Sequence, residues 1–332
     1  MSLKLGINGF GRIGRNVLRA LMERAPGEME VVAINDLAPL ETLAHLFEFD
    51  SVHGRYGRPV TLGADTMDVG SGPIRVTAER APERLQWDDV DIALECTGFF
   101  RSPEQAALHL ENGAKRVLIS APAKGDVKTI VYGVNHDLIT AEDSILSNAS
   151  CATNCLVPVA HVLHEAFGIR RGHMTTVHSY TGSQPVHDRS HDDLYRARAA
   201  ALSMIPTTTG AAQTMGVVMP HLMGRITGTA IRVPTPNVSC IDLVVETQST
   251  ASEDDVNAAF AEAAGAMHGV LGVTPRKLVS MDFNHDPRSA IFASDQTSVQ
   301  QGNLVRVLAW YDNEWAFSNR MLDTAYVIGR TL

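Results

Sequence analysis

The sequence has no run near the ~18 consecutive apolar residues that a membrane-spanning helix needs. It also lacks an excess of positive charge: 28 Lys and Arg stand against 37 Asp and Glu, a formal net charge of -9. That balance argues against a nucleic-acid backbone or an anionic membrane as main partner, though not against a local basic pocket for a small phosphorylated ligand. Cysteine is scarce. Cys96, Cys151, Cys155 and Cys240 are too few in a chain of 332 residues for a disulfide framework. Cys151 and Cys155 are too poorly accompanied for a zinc site, so no metal is expected. The start, from Met1-Ser2 into Leu3-Lys4-Leu5-Gly6-Ile7, has no apolar core of a secretory signal. A reducing cytoplasm is therefore the expected setting.

What is present suggests two domains, because the chain is long for one core. Leu3 to Ile7 reads as a strand and is followed by Gly9-Phe10-Gly11-Arg12-Ile13-Gly14. A helix then carries Val17, Leu18 and Leu21 on one face and stops at Ala25-Pro26-Gly27. The next strand, Glu30 to Ile34, runs into Asn35-Asp36. A lone GxGxxG is a weak signal. Here it follows a strand, opens a helix and has an acidic residue 22 positions after Gly14, which is the dinucleotide fingerprint in its required context. Gly9 permits the tight turn, Gly11 lets the backbone approach a pyrophosphate, and Gly14 lets the helix pack closely. Asp36 would accept hydrogen bonds from ribose hydroxyls and repel a 2′-phosphate, which favours NAD over NADP.

Residues 37–89 read as an insertion of helix and hairpin strands, such as Thr66 to Val69 and Ile74 to Val76. Strands of parallel type return at Asp91 to Cys96 and Arg116 to Ser120, ending in Thr97-Gly98 and Ser120-Ala121-Pro122 at the side where a cofactor crevice would lie. Ile130 to Gly133 and Ser144 to Ser147 are the next strand candidates. After them come Met174 to Thr181, Thr227 to Pro234, Ser239 to Thr247, Lys277 to Asp282, Ser289 to Ala293 and Leu304 to Tyr311. Helices no longer alternate with these, so an antiparallel α+β sheet is expected. Glu253 to Met267 and Asn319 to Ile328 read as helices, the last burying Met321, Leu322, Ala325 and Tyr326. The expected architecture is a doubly wound, mostly parallel α/β Rossmann domain over 1–150 and an α+β catalytic domain over 151–317, with a final helix at about 318–332 packing on the first domain.

Ser147-Asn-Ala-Ser-Cys151-Ala-Thr-Asn-Cys155 precedes the apolar stripe Leu156, Val159, Ala160, Leu163 and Phe167. Cys151 should therefore sit at a helix start, where unpaired N–H groups and the dipole favour a thiolate. A cysteine there is also an ordinary small core residue. His178, at a strand end 27 residues later, supplies what thiol catalysis needs, an imidazole to move protons. Arg232 is a cation in a strand where an apolar residue would be expected. Arg196 lies in a polar loop from Gly182 to about Leu202, and Thr207-Thr208-Thr209-Gly210 offers donors at an apparent helix start. These are either anion ligands or structural pairs. His187, Asp188, His191, Asp192 and Asp193 resemble metal ligands superficially, but their loop setting reads as solvated surface.

Taken together, GINGFGRIGR at 6–15, SNASCATNC at 147–155, HSYTG at 178–182, TTTGAA at 207–212, RVPTPNVS at 232–239 and WYDNEW at 310–315 resemble the phosphorylating glyceraldehyde-3-phosphate dehydrogenase family, nearly end to end. The resemblance implies Cys151 as nucleophile and His178 as base. It implies Thr181 and Arg232 for the substrate's phosphate, Ser150, Thr209 and Gly210 for the attacking inorganic phosphate, and Arg196 between them. It matches Arg12, Ile13, Asp36, Arg80, Ser120 and Asn313 to cofactor contacts, and implies a homotetramer. Departures from the family's pattern are Ala152 for the usual threonine, Ser183 for aspartate, Gln213 for lysine, Ala316 for glycine and Phe317 for tyrosine. Arg189 and Ser190 stand where strictly NAD-using relatives often have leucine and proline, so NAD preference with some use of NADP is expected. Two alternatives stay open: an erythrose-4-phosphate dehydrogenase, which Asp282-Phe-Asn-His-Asp-Pro287 somewhat resembles, and a catalytically weak NAD-binding redox sensor.

Overall fold

The computed structural model describes residues 2–24 and 27–332. The expected helix stop at Ala25-Pro26 lies outside the described residues. Two compact units emerge, one holding the chain up to Ala149 together with Ser318–Leu332, the other Ser150–Phe317.

In the first unit the described residues form a nine-stranded sheet. Its strands lie in the order Lys128–Thr129, Ile145–Ser147, Arg116–Ile119, Ile92–Glu95, Leu3–Asn8, Met29–Asn35, Pro73–Thr77, Thr66–Asp68, Thr61–Leu62. All neighbours are parallel up to Pro73–Thr77, and the two edge strands turn back antiparallel. The central strands are buried and apolar: Leu5, Ile7, Ile34, Ile92 and Leu94 have no or almost no exposure. That is how a parallel strand covered on both faces reads. Helices Arg12–Glu23 and Pro103–Glu111 connect successive strands. The mostly parallel Rossmann-type sheet is as expected.

The second unit is built on an eight-stranded sheet. Ile205–Thr208, Ile226–Val233, Ile169–Ser179, Ser239–Thr247, Leu304–Tyr311, Ala290–Ala293 and Leu271–Thr274 follow one another, and Ser298–Gln300 pairs with Leu304–Tyr311. Most pairs are antiparallel, in keeping with the α+β reading; Ile169–Ser179 with Ile226–Val233 and Leu271–Thr274 with Ala290–Ala293 are parallel. Helix Cys151–Phe167 packs on this sheet through Leu156, Val159, Ala160 and Leu163, all fully buried.

Three local expectations are corrected. Ile130 to Gly133 is no strand, because the Asn135 side chain takes the Val131 N–H and donates to the Thr129 carbonyl, replacing a ladder partner. Lys277 to Asp282 is no strand either: the Asp282 carboxylate accepts from the Val279 N–H and winds Ser280–Phe283 into a 3-10 turn. The last helix runs over Trp315–Gly329, starting before Asn319 because Asp312 accepts from the Glu314 and Trp315 N–H groups. Within it Met321, Leu322 and Ala325 are buried, but Tyr326 is exposed.

Candidate active site

Ser150 caps the helix that begins at Cys151, accepting from the Thr153 N–H at 3.2 Å. Its hydroxyl also shares a 2.8 Å hydrogen bond with the Thr153 hydroxyl. The cap places Cys151 in the first turn, with its Sγ 3.5 Å from His178 Nε2. His178 reaches this point because Ile169–Ser179 runs parallel to Ile226–Val233, with His178 in register with Arg232.

The tautomer of His178 follows from its neighbours. Nδ1 lies 2.7 Å from the Ser179 carbonyl oxygen, a pure acceptor, so Nδ1 carries the proton and donates. Arg232 Nη1, 2.9 Å from that nitrogen, donates instead to the same carbonyl at 3.0 Å. Nε2 is thus left with a lone pair toward the thiol. The fully buried Tyr311 ring meets the imidazole edge-on at 6.0 Å. Burial and the nearby Arg232 and Arg196 charges lower the His178 pKa to about 3.

The expected thiolate does not match this environment. Burial pushes the Cys151 thiol up to about 11, outweighing Arg232 and the N–H groups of Ala152 and Cys151 that pull it down. Cys151 keeps some surface exposure as a residue, but its sulfur is dry enough for desolvation to dominate. The resting pair is therefore a neutral thiol and a neutral imidazole.

Arg232 is the cation of this centre, and its Nε is buried with no hydrogen-bond partner among the described residues. Such an orphan donor suits an anion. Arg196 is held by the Thr207 hydroxyl at 2.9 Å and by Asp193 at 3.6 Å, close enough to act electrostatically on both His178 and Arg232. Asp193 stays partly exposed beside that cation, and Asp188 pairs with Arg198 on the surface, in keeping with the solvated reading of this loop. The Thr181 hydroxyl meets the Ser183 hydroxyl at 3.1 Å. Thr209 accepts from the Ala211 N–H, and Gly210 caps helix Ala211–Val218, while Thr207 and Thr208 belong to the preceding strand rather than to the helix start. Ala152 is buried beside the nucleophile candidate. Asn313 is held by a hydrogen bond from the Ser239 hydroxyl to its Oδ1 at 2.8 Å.

In the first unit Gly9, Gly11, Asp36, Arg80 and Thr97 line a crevice with Asn8, Asn35, Leu37, Glu79, Cys96, Phe99 and Phe100. Gly9 has φ +93°, and a Cβ there would lie 2.7 Å from the Thr97 nitrogen. A Cβ on Gly14 would run into the Gly9 carbonyl oxygen, whereas Gly11 has open space beside it. Gly11 caps helix Arg12–Glu23 without a side-chain cap, and no acid occupies the first turn. A bare helix N-terminus in a glycine cradle fits a pyrophosphate. Asp36 accepts from the Phe10 and Ala38 N–H groups at 2.8 and 3.0 Å, which aims its remaining lone pairs. Arg12 is engaged bidentately by Asp50, whose carboxyl is held well below the usual range by that guanidinium against the opposing effect of burial. Ile13 follows Arg12 in the first helical turn, Gly98 has φ +76°, and Ser120 is engaged with the Cys96 thiol.

Sequence reasoning missed Asp50, Ser179 and Ser239. Ser179 and Ser239 stand inside HSYTG and RVPTPNVS, so the motifs contained the signal; Asp50 had none.

Comparison with known proteins finds one family along the chain. Residues 3–103 match the family "Glyceraldehyde 3-phosphate dehydrogenase, NAD binding domain". Residues 150–313 match "Glyceraldehyde 3-phosphate dehydrogenase, C-terminal domain". The chain is 62% identical over 333 residues to a glyceraldehyde-3-phosphate dehydrogenase of Cereibacter sphaeroides, covering 100% of each chain. It is 60% identical to that of Xanthobacter flavus over 99% of each, and 51% identical to that of Geobacillus stearothermophilus over 100% of each.

Proposed function

Since this chain belongs to the glyceraldehyde-3-phosphate dehydrogenase family and is an NAD-dependent oxidoreductase, we propose that it converts D-glyceraldehyde 3-phosphate and inorganic phosphate to 1,3-bisphosphoglycerate through a thioacyl enzyme on Cys151. The Cys151 sulfur attacks the aldehyde carbon while its proton passes to His178 Nε2 and on to the former carbonyl oxygen, giving a hemithioacetal. NAD, when bound, supplies the hydride acceptor. His178 takes the hydroxyl proton as the carbonyl re-forms, leaving a thioester. A phosphate oxygen then attacks that carbonyl, the C–S bond breaks, and the sulfur recovers its proton from His178.

The observation that carries this reading is the Cys151–His178 pair at 3.5 Å, with Nε2 left as acceptor by the Nδ1 bond to Ser179. A neutral pair holds its proton transfer back until the sulfur bonds to carbon. Arg232 and Thr181 hold the substrate's phosphate, the orphan Nε of Arg232 supporting this. Ser150, Thr209, Gly210 and the position of Ala152 receive the attacking phosphate, with Arg196 between. Arg12, Ile13, Asp36, Arg80, Thr97, Gly98 and Ser120 hold the cofactor. Exposed Val186, Leu194, Tyr195, Leu202 and Met204 in the loop around Arg196 support a homotetramer. Free cysteines support a reducing cytoplasm, and among the described residues no helix is long and apolar enough to cross a membrane.

The test is a steady-state assay of NAD reduction with triose phosphate as phosphate is varied. Activity that needs phosphate and vanishes in Cys151→Ser supports the proposal; activity retained in Cys151→Ser overturns it. The run at 282–287 keeps erythrose 4-phosphate as a second substrate to assay beside it, and a higher kcat/KM for that aldehyde reverses the assignment. His178 and Arg232 beside the thiol favour catalysis over redox sensing, which has no need of either.

A further inference from the structure

Beneath the crevice of the first unit lies a buried hydrogen-bond system that neither the fingerprint nor the thiol chemistry uses. Glu95, at the end of its strand, has no exposure. Its Oε2 receives the Asn8 amide at 2.7 Å and His109 Nε2 at 3.1 Å, and its Oε1 receives the Thr97 N–H at 2.8 Å and the Thr97 hydroxyl.

The direction of every one of these bonds is forced. The Trp87 indole N–H can only donate, and it lies 3.0 Å from His109 Nδ1, so Nδ1 accepts and Nε2 carries the proton toward Glu95. On the other side the Glu79 backbone N–H donates to Asn35 Oδ1 at 2.8 Å. The Asn35 amide nitrogen therefore faces Asn8 Oδ1, also at 2.8 Å, and the Asn8 nitrogen faces Glu95. Phe99 N–H donates to the Thr97 hydroxyl at 3.1 Å, which sends the hydroxyl proton to Glu95 as well. Relays of fixed polarity thus converge on one residue, and only a carboxylate accepts from all of them.

We propose that Glu95 is a positioning residue for the NAD site: by terminating these relays it locks Asn8, Asn35 and Thr97, the crevice-lining groups at three strand ends, in one arrangement. Through Asn35, which also accepts the Thr77 hydroxyl at 2.9 Å, the same lock holds Glu79 and hence the segment bearing Arg80. The inference rests on reading the crevice as the cofactor site. Glu95 is fully buried and does not line the crevice, so it acts through the residues it holds.

Glu95→Gln has nearly the same shape but supplies one acceptor and one donor group. Whichever way its amide turns, an N–H points at the fixed Thr97 N–H or at the Asn8 and His109 donors. The expected result is a KM for NAD raised about tenfold, with KM for aldehyde and phosphate unchanged and kcat at saturating NAD within about twofold. His109→Gln, which can still accept from Trp87 and donate to Glu95, should leave the KM for NAD close to the wild-type value, whereas His109→Leu should raise it. Asp36→Asn is the control for the site itself. If Asp36→Asn raises the KM for NAD and Glu95→Gln does not, the positioning role is wrong; if neither does, the crevice reading fails first. A Glu95→Gln enzyme with lowered Tm and kcat but unchanged KM for NAD has lost only stability, which also overturns the proposal.

Discussion

The thiols of this chain differ in what surrounds each sulfur, and that sets their chemistry. Cys96 is pushed up to about 12 by burial and by the Glu95 charge, and Cys155 well above the ordinary value by burial. Cys151 is raised less, to about 11, because Arg232 and two N–H groups offset part of the desolvation; Cys240 is raised as far but is buried, whereas Cys151 keeps some exposure. Alkylation of the cofactor-free enzyme by iodoacetamide should fall on Cys151 alone, with a rate that keeps climbing through the ordinary thiol range near pH 9. Peptide mapping across pH checks this; a rate already level near pH 6 means that the imidazolium–thiolate pair forms at rest. One position further, Ala152 removes a hydroxyl that the family usually supplies. Restoring it in Ala152→Thr should lower the KM for inorganic phosphate several-fold, the worth of about 1 kcal/mol for one neutral hydrogen bond. An unchanged phosphate saturation curve rejects that account. Asp36 carries a third prediction. Its pinned carboxylate should give kcat/KM in favour of NAD, and Asp36→Ala should reduce the NAD to NADP ratio by about tenfold; a wild-type preference for NADP refutes it.

Two helices show how one local device serves different ends. Ser252 caps Glu253–Ala266 in a reciprocal box with Asp255. Ser150 caps Cys151–Phe167 in the same way on one side only, and lies next to the thiol. Ser252→Ala and Ser150→Ala should each cost about 1 kcal/mol of stability, seen as a lower Tm by thermal shift. Only Ser150→Ala should also raise the KM for phosphate; a rise in both, or in neither, contradicts the role given to Ser150. At this scale the sequence was readable wherever periodicity and a cap agreed, as at Cys151 and Glu253. It misled where a side chain replaced a backbone partner: Asn135 undid a strand at Ile130, Asp282 turned Lys277 to Asp282 aside, and Asp312 started the last helix early. The strands Ile205–Thr208 and Leu271–Thr274 went unread because Pro206 and Gly272 interrupt runs already too short to show alternation.

For the molecule as a whole, the doubly wound sheet was legible because its fingerprint and strand ends follow chain order. The centre at Cys151 was legible only in part, since what joins His178 to Arg232 is a parallel register between strands 54 residues apart in sequence. Desolvation, which reverses the expected thiolate, depends on everything packed around the site and leaves no mark in any short motif. The same burial makes global stability depend on pH. His178 binds its proton at an ordinary value near 6.5 when unfolded and only near 3 when folded. Between those values the unfolded chain takes up a proton that the folded chain refuses, so stability is full above about pH 6.5 and is lost as pH falls toward 3, by up to about 1.4 kcal/mol per pH unit. Asp50 acts in the same direction at lower pH, because its folded pKa lies below its unfolded one. Urea unfolding from pH 7 to pH 4 should therefore show a midpoint that falls steadily, and His178→Asn should flatten that slope while leaving the Asp50 contribution below pH 4. If His178→Asn keeps the wild-type slope between pH 6 and pH 4, the imidazole is not held neutral by its surroundings, and the resting pair must be drawn as charged.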